Sequence, residues 1–354
     1  MTSGGSSSKH PRWKRLPGLV AINLAVTLAL WLCLEVVFGL LVQGRVSLLA
    51  KVQFVTMTSR DYIVADNEKG FRLQANFASD DVHTNSDGFR GKELPEDFAK
   101  KRLVLALGES TTFGWCVADD ETYPHHLENI LNATSTGREF VVVNAGIPSY
   151  SSRQVLLYLE QLLARFHPDL VLVSLLWNDL FYSSIEEWAP ECLVPAYPSR
   201  LHQALFRYSR VYRWMATQPG KPQKVNFYSE PALKEYKANI ARIAQLCRTK
   251  GVPIVFVEPP FSAQAVPAAG ETMWHNRFSR KFISKIADRF LAAQVEEAES
   301  QGVPFVRHGV GISERPTAEH FLDFLHVDGE GNRMIAQSIA DFLEDQNASV
   351  WQED

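Results

Sequence analysis

Between residues 102 and 306 the chain alternates short apolar runs with amphipathic stretches of helical length, and this constrains the fold more than any other feature. The runs are Leu103–Leu107, Phe140–Asn144, Leu170–Leu175, Pro253–Val257 and Val303–Val306. Helical spacing of apolar residues occupies Tyr123–Leu131, Ser152–Phe166, Pro231–Lys250 and Arg277–Gln301. Runs of strand length with no polar face belong to strands buried on both sides. Their alternation with helices predicts an α/β fold of three layers, a parallel sheet covered by helices on both faces. No period of repeat length recurs, which excludes solenoids and propellers.

The first run stops abruptly at Gly108-Glu109-Ser110, followed by Thr-Thr. Ser110 therefore lies just past the C-terminal edge of a strand, at the mouth of a helix, where reacting groups collect in open α/β sheets. Taken alone, a serine there is more often a helix cap. A nucleophilic serine also needs a base, because its hydroxyl is weakly acidic, and donors for the oxyanion that forms when it attacks a carbonyl.

Those groups occur elsewhere in the chain. Near the C-terminus, Asp323 and His326 stand three residues apart, just before Asp328-Gly329 opens a final helix with Met334, Ile335, Ile339 and Phe342 on its core face. Such an Asp can accept the Nδ1 proton of the histidine and leave Nε2 as a base. The predicted nucleophile, base and orienter are Ser110, His326 and Asp323. Oxyanion donors are expected from the Ser110 amide, from Gly146 after the second run and from the Asn178 side chain after the third. Asp179 is read as a structural cap, and His308, His125 and His126 as packing or surface residues. A metal cluster of His320, Asp323 and His326 is disfavoured, since helical spacing would splay the three.

The N-terminal part has another character. Residues 1–15 end in Lys9, Arg12, Lys14 and Arg15, and an apolar segment follows from Leu16 to Val42. It exceeds the roughly 20 residues that cross a bilayer. It is too long for a signal peptide and lacks a cleavage site, so it is expected to be an uncleaved anchor. The cationic flank predicts a cytoplasmic N-terminus and an outward domain. Glu35 inside it is costly at mid-membrane, and is expected either near the outer interface or against a partner helix. The domain plan is thus a tail over 1–15, an anchor over 16–43, a juxtamembrane segment over 44–100, the main domain over 101–345 and a tail over 346–354. Within the main domain, 181–229 is an aromatic-rich insertion. There Leu201, Leu205, Tyr208, Tyr212 and Met215 share a helical face opposite Arg207, Arg210 and Arg213, a pattern suited to anionic lipid or glycan, or simply to a docked helix with a solvated basic side. A net charge of -4 leaves no footprint for nucleic acid. Of the four cysteines, Cys33, Cys116, Cys192 and Cys247, none falls in a CxxC pair or at zinc-ligand spacing.

Gly108-Glu109-Ser110, Asn144-Ala145-Gly146, Asn178-Asp179 and Asp323-Phe324-Leu325-His326, in that order and at strand ends, resemble the motif set of the SGNH hydrolases, the GDSL-like esterase superfamily. The stretches NSDGFRG (residues 85–91) and DETYP (residues 120–124) resemble its membrane-anchored bacterial members. The resemblance implies a flavodoxin-like α/β/α fold, no metal or organic cofactor, and a serine esterase acting through an acyl-enzyme. With an anchor in the inner (cytoplasmic) membrane and a periplasmic domain, the expected substrate is an O-acetyl or short-acyl ester on an envelope glycan. A transferase using the same machinery, a lipase or thioesterase at the membrane surface, and a non-catalytic polysaccharide-assembly or binding factor are the alternatives. Two residues depart from the family pattern: Glu109 stands where Asp is usual, and Leu176 where a glycine often precedes the asparagine.

Overall fold

The computed structural model describes residues 16–52, 62–135, 137–185, 187–195, 199, 201, 204–205, 209, 211–212, 227–265 and 279–345. They fall into two compact units, one of residues 1–59 with 199–219 and one of residues 60–198 with 220–354.

The first unit is built on helix α1 (Leu16–Val52), which runs nine residues past the expected end of the anchor at 43. Its stretch Val20–Val37 has a mean hydropathy of 2.2 and is long and apolar enough to cross a membrane. Leu24, Leu28, Leu30 and Val36 are all exposed, so the helix presents apolar surface outward. Glu35 does not stand alone on it. Its carboxylate accepts hydrogen bonds from the Ser209 hydroxyl and, at 3.3 Å, from the Val211 amide. Ser209 Oγ in turn accepts the Tyr212 amide at 2.9 Å. The partner of Glu35 is therefore the chain's own insertion. The cationic face expected there, Arg207, Arg210 and Arg213, lies outside the described residues, as do both terminal tails.

The second unit opens with a hairpin of β1 (Ile63–Asp66) and β2 (Gly70–Leu73), paired antiparallel with Ile63 opposite Leu73. The main sheet follows: β3 (Arg102–Gly108), β4 (Phe140–Gly146), β5 (Leu170–Ser174), β6 (Ile254–Val257) and β7 (Phe305–Val306). Its spatial order is β4-β3-β5-β6-β7 and every pairing is parallel. This is the flavodoxin-type order, in which the chain reverses its direction of winding at the first strand. Each parallel pair needs a covering crossover, which helices between the strands supply, and a last helix follows β7. They are α2 (Ser110–Phe113), α3 (Tyr123–Thr134), α4 (Ser152–Arg165), α5 (Trp177–Tyr182), α6 (Glu230–Lys250), α7 (Arg280–Ser300) and α8 (Gly329–Asp345).

One face of the sheet packs Val104, Ala106, Val142, Leu170, Leu172 and Val255 against Tyr123, Leu127 and Leu131 of α3 and Ile335 and Ile339 of α8. Met334 and Phe342, expected on the same core face of α8, are only partly buried there. On the other side α4 packs against β3 and α6, and α6 against α7. Asp179 plays the capping part read from the sequence: it accepts the Ser152 amide at 2.7 Å and hydroxyl at 2.5 Å where α4 begins. Burial pushes its carboxyl up to about 7.

The segment expected to be juxtamembrane belongs in large part to this second unit. Phe71, Phe89 and Arg90 are buried in it, and the Tyr150 hydroxyl donates to Phe71 O at 2.6 Å. All four cysteines are free thiols.

Gly108 ends β3 where the chain turns into α2. A Cβ there would stand 2.2 Å from both Ser174 O and Thr112 Oγ1, closer than any atom pair tolerates. Gly108→Ala is therefore expected to destabilise the second unit by on the order of 3 kcal/mol through overpacking. Thermal unfolding of the full chain in detergent checks this, and an unchanged midpoint would show that the turn yields.

Candidate active site

The switch point of the sheet lies at the C-terminal end of β3, between β4 and β5, and the residues singled out from the sequence sit there. Ser110 is the first residue of α2, two residues past the end of β3. Gly146 ends β4 and is in register with Gly108. Asn178 lies in the first turn of α5, just beyond β5.

His326 arrives from the loop before α8. Its Nε2 lies 2.8 Å from Ser110 Oγ, and its Nδ1 lies 2.7 Å from Asp323 Oδ2. The other Asp323 oxygen accepts the amides of Leu325 and His326, both at 2.8 Å. These bonds fold Asp-Phe-Leu-His into a tight turn, so the carboxylate and the imidazole it orients belong to one rigid piece. Burial alone would raise the Asp323 carboxyl, but the His326 charge, its hydrogen bond and the two amides outweigh burial and hold it below the usual range. A carboxylate kept ionised fixes Nδ1 as the protonated nitrogen and turns the Nε2 lone pair toward Ser110. Below this turn Phe324 packs with Trp177, Phe181 and Phe261, a buried aromatic block.

The two expected oxyanion donors besides Ser110 are already engaged. The Gly146 amide donates to Asn144 Oδ1 at 3.1 Å, while Asn144 Nδ2 donates to Phe113 O at 3.2 Å. Asn178 Nδ2 donates to Glu109 and, at 3.0 Å, to Tyr150 O. Gly146 also lies flat against α2, where a Cβ would meet Phe113 N at 2.3 Å. Leu176, in place of the usual glycine, is fully buried with φ −179°, outside the left-handed region that favours glycine.

Glu109 has a role that sequence reasoning did not assign. Its carboxylate is fully buried. Oε1 accepts the amides of Leu176 at 3.2 Å and Trp177 at 2.8 Å, and Oε2 accepts the Asn178 amide at 2.9 Å and the Asn178 side chain. The residue beside Ser110 thus caps the helix that carries Asn178, satisfying amides no helical carbonyl reaches. Burial pushes its carboxyl up to about 8, and the three main-chain donors oppose that rise. Trp115 was likewise missed: it is half-buried, with its ring centroid 6.3 Å from that of His326. Among the described residues no group of three His, Cys, Asp or Glu side chains is placed to share a metal ion; His320 pairs with Asp328 at 3.4 Å instead.

The raised Glu109 carboxyl makes stability depend on pH. Its folded value lies above its ordinary value of 4.5, so folding favours the protonated form. That contribution is complete below pH 4.5 and is lost as pH rises toward about 8. Glu109→Gln cannot ionise, so the wild-type chain should lose thermal stability relative to this variant across that window. A difference that stays constant between pH 5 and pH 9 would overturn the expectation. Glu109→Ala, which leaves buried donors without an acceptor, should cost roughly 3 kcal/mol or more at any pH.

The sequence profile described as the GDSL-like lipase/acylhydrolase family matches residues 106–334, more than half of the chain. No curated protein matches the chain. Among solved structures, similar ones include a catalytic mutant of an acetylxylan esterase from Geobacillus stearothermophilus, at 15% identity over 72% of this chain and 97% of that one, with a TM-score of 0.45. A psychrotrophic esterase from Pseudoalteromonas sp. is 13% identical over 69% of this chain and 98% of its own, with a TM-score of 0.42. TesA is 15% identical over 69% of this chain and 99% of its own, with a TM-score of 0.44. On the extent of the profile match, this chain belongs to the GDSL-like lipase/acylhydrolase family, the SGNH type of hydrolase.

Proposed function

We propose that the chain is a membrane-anchored serine esterase that removes, or transfers, an O-acetyl or short-acyl group on a cell-envelope glycan. The observation that carries the chemistry is the continuous hydrogen-bonded path from Ser110 Oγ through His326 to Asp323. Ser110 Oγ attacks the ester carbonyl as His326 Nε2 takes its proton, and Asp323 stabilises the imidazolium. The negative charge moves to the carbonyl oxygen, where the amides of Ser110 and Gly146 and the Asn178 side chain receive it. Collapse of this intermediate breaks the bond to the alcohol, which leaves with the proton from His326, and the acyl group stays on Ser110. Water, deprotonated by His326, then releases the acid. If a sugar hydroxyl takes the place of water, the same groups perform acyl transfer.

Helix α1 supports the proposed location. A span of this length and hydropathy behind four cationic residues favours a single pass of the cytoplasmic membrane, with the N-terminus inside and the second unit in the periplasm. A domain so held meets acylated glycans and lipids of the envelope.

Full-length chain purified in detergent should hydrolyse a chromogenic acetate ester, and a fluorophosphonate should label Ser110. Ser110→Ala should abolish labelling and lower kcat by about a thousandfold or more, and His326→Ala by a comparable factor. Unchanged turnover in Ser110→Ala would sink the proposal. Failure of the wild type to take the label, with glycan binding retained, would favour a non-catalytic role. Acetate released from a native envelope preparation by the wild type but not by Ser110→Ala would identify the substrate class.

A further inference from the structure

The stretch Asn85–Gly91 lies outside the reactive set, yet it is dense in hydrogen bonds. Asn85 Oδ1 accepts the amides of Asp87 at 3.0 Å and Phe89 at 2.9 Å, and its Nδ2 donates to Lys92 O at 3.1 Å. Gly88, at φ 82°, lets the loop turn back. This tight loop aims Arg90, which is 4% exposed, into the protein behind the nucleophile helix.

The Arg90 guanidinium spends all five of its N–H donors there. Nε donates to Asp119 Oδ1 at 2.7 Å. Nη1 donates to Phe113 O at 2.8 Å and Gly114 O at 2.6 Å, and Nη2 to Val117 O at 2.7 Å and Asp81 O at 3.0 Å. The guanidinium also lies 4.4 Å from the centre of the Phe113 ring. Its counter-ion Asp119 is fixed in turn by the His83 amide at 3.0 Å and His83 Nδ1 at 2.8 Å. Three of the five acceptors are carbonyls at the end of α2 and in the turn after it, within seven residues of Ser110.

One of those carbonyls is shared. Phe113 O accepts both Arg90 Nη1 and Asn144 Nδ2, and Asn144 Oδ1 holds the Gly146 amide. The Arg90 main-chain amide donates to Asn144 O at 3.1 Å, so Arg90 grips Asn144 as well as the nucleophile helix. Gly146 packs directly on Thr112 and Phe113. The turn that Arg90 closes also carries Trp115, whose ring faces His326.

We propose that Arg90 is a positioning residue for the acyl-transfer site, setting the distance between Ser110 and the Gly146 amide by fixing the Phe113 carbonyl and Asn144. A buried guanidinium is a costly way to close a loop that apolar packing could close. Its planar fork, however, fixes several carbonyls in one plane, which a lysine ammonium with three donors on a flexible stem does not. The inference rests on the reading of Ser110 as nucleophile.

The test uses full-length Arg90→Lys, Arg90→Met and Asn144→Ala in detergent, with a chromogenic acetate ester and a trifluoromethyl ketone as a mimic of the tetrahedral oxyanion. Misplacing one oxyanion donor is expected to lower kcat by about 30- to 300-fold while KM changes less than about threefold. The ketone should bind more weakly by the same factor as kcat/KM falls, because both report the oxyanion. Asn144→Ala keeps the Arg90 contacts to the turn and should show the same split, and the double variant should lose no more than the worse single variant. Folded variants that keep wild-type kcat, or that lose kcat only in proportion to the folded fraction with unchanged ketone affinity, overturn the inference. If the Arg90 variants do not fold, Asn144→Ala decides alone, by whether kcat and ketone affinity fall together. A wild-type chain that neither turns over the ester nor takes a fluorophosphonate overturns the serine-esterase reading and this inference with it; an active wild type with unaffected variants overturns the inference alone.

Discussion

The arrangement depends on one buried carboxylate. Glu109 ends the turn after β3, and its two oxygens reach across to the start of α5, where they accept the amides of Leu176, Trp177 and Asn178. Two neighbouring parallel strands are thereby tied together at their C-terminal ends, where no ladder bond continues. Removing the acceptor would leave several amides buried without partners, at about 1–3 kcal/mol each. Because Glu109 and Ser110 are adjacent, the position of the serine is fixed by the same bonds that fix Asn178. The carboxylate therefore sets the geometry of both walls of the site and touches no reacting atom.

Most of this fold was legible in the sequence, for a physical reason. Strands buried on both faces must be apolar throughout, so β3, β4 and β5 stand out as runs, and each strand of the main sheet lies within two residues of the predicted bounds. The convergence of Ser110, Asp323 and His326 was legible because the proposed chemistry restricts which residue types can serve and where on a parallel sheet they can sit. Residues 62–100 are less legible because they lack long apolar runs: their buried side chains, Phe71 and Phe89 among them, come singly and are joined by polar bonds such as those of Arg90. The engagement of Asn178 was equally invisible, since Glu109 and Tyr150 meet it only in three dimensions, whereas Gly146 is engaged by its near neighbour Asn144. The NSDGFRG stretch could be noticed, but its acceptors at Phe113, Gly114 and Val117 form no pattern in sequence.

Glu35 shows the same limit in the other unit. A carboxylate in an apolar helix signals either an interface or a partner, and sequence offers no way to choose. Here the Ser209 hydroxyl and the Val211 amide meet it, both from a segment more than 170 residues later in the chain. An apolar environment makes such donors more valuable than water would, so the bond that satisfies the carboxylate also ties the insertion to the helix.

The engagement of the oxyanion donors bears directly on how acyl transfer would be favoured at this site. An idle donor would bind the neutral carbonyl of a substrate as well as the oxyanion, and the part of its binding common to both does not speed the chemical step. The Gly146 amide already has a neutral acceptor in Asn144 Oδ1. A substrate carbonyl, also neutral, gains little by displacing it. A charged oxygen forms a hydrogen bond roughly twice as strong, so the exchange becomes favourable only as negative charge develops. The resting site thus keeps its buried donors satisfied, and in the proposed chemistry that satisfaction directs their binding toward the transition state, provided Asn144 is held close enough to take the amide back. That distance is set by the Phe113 carbonyl and by Arg90, which connects the loop ahead of the sheet to the step at which charge appears.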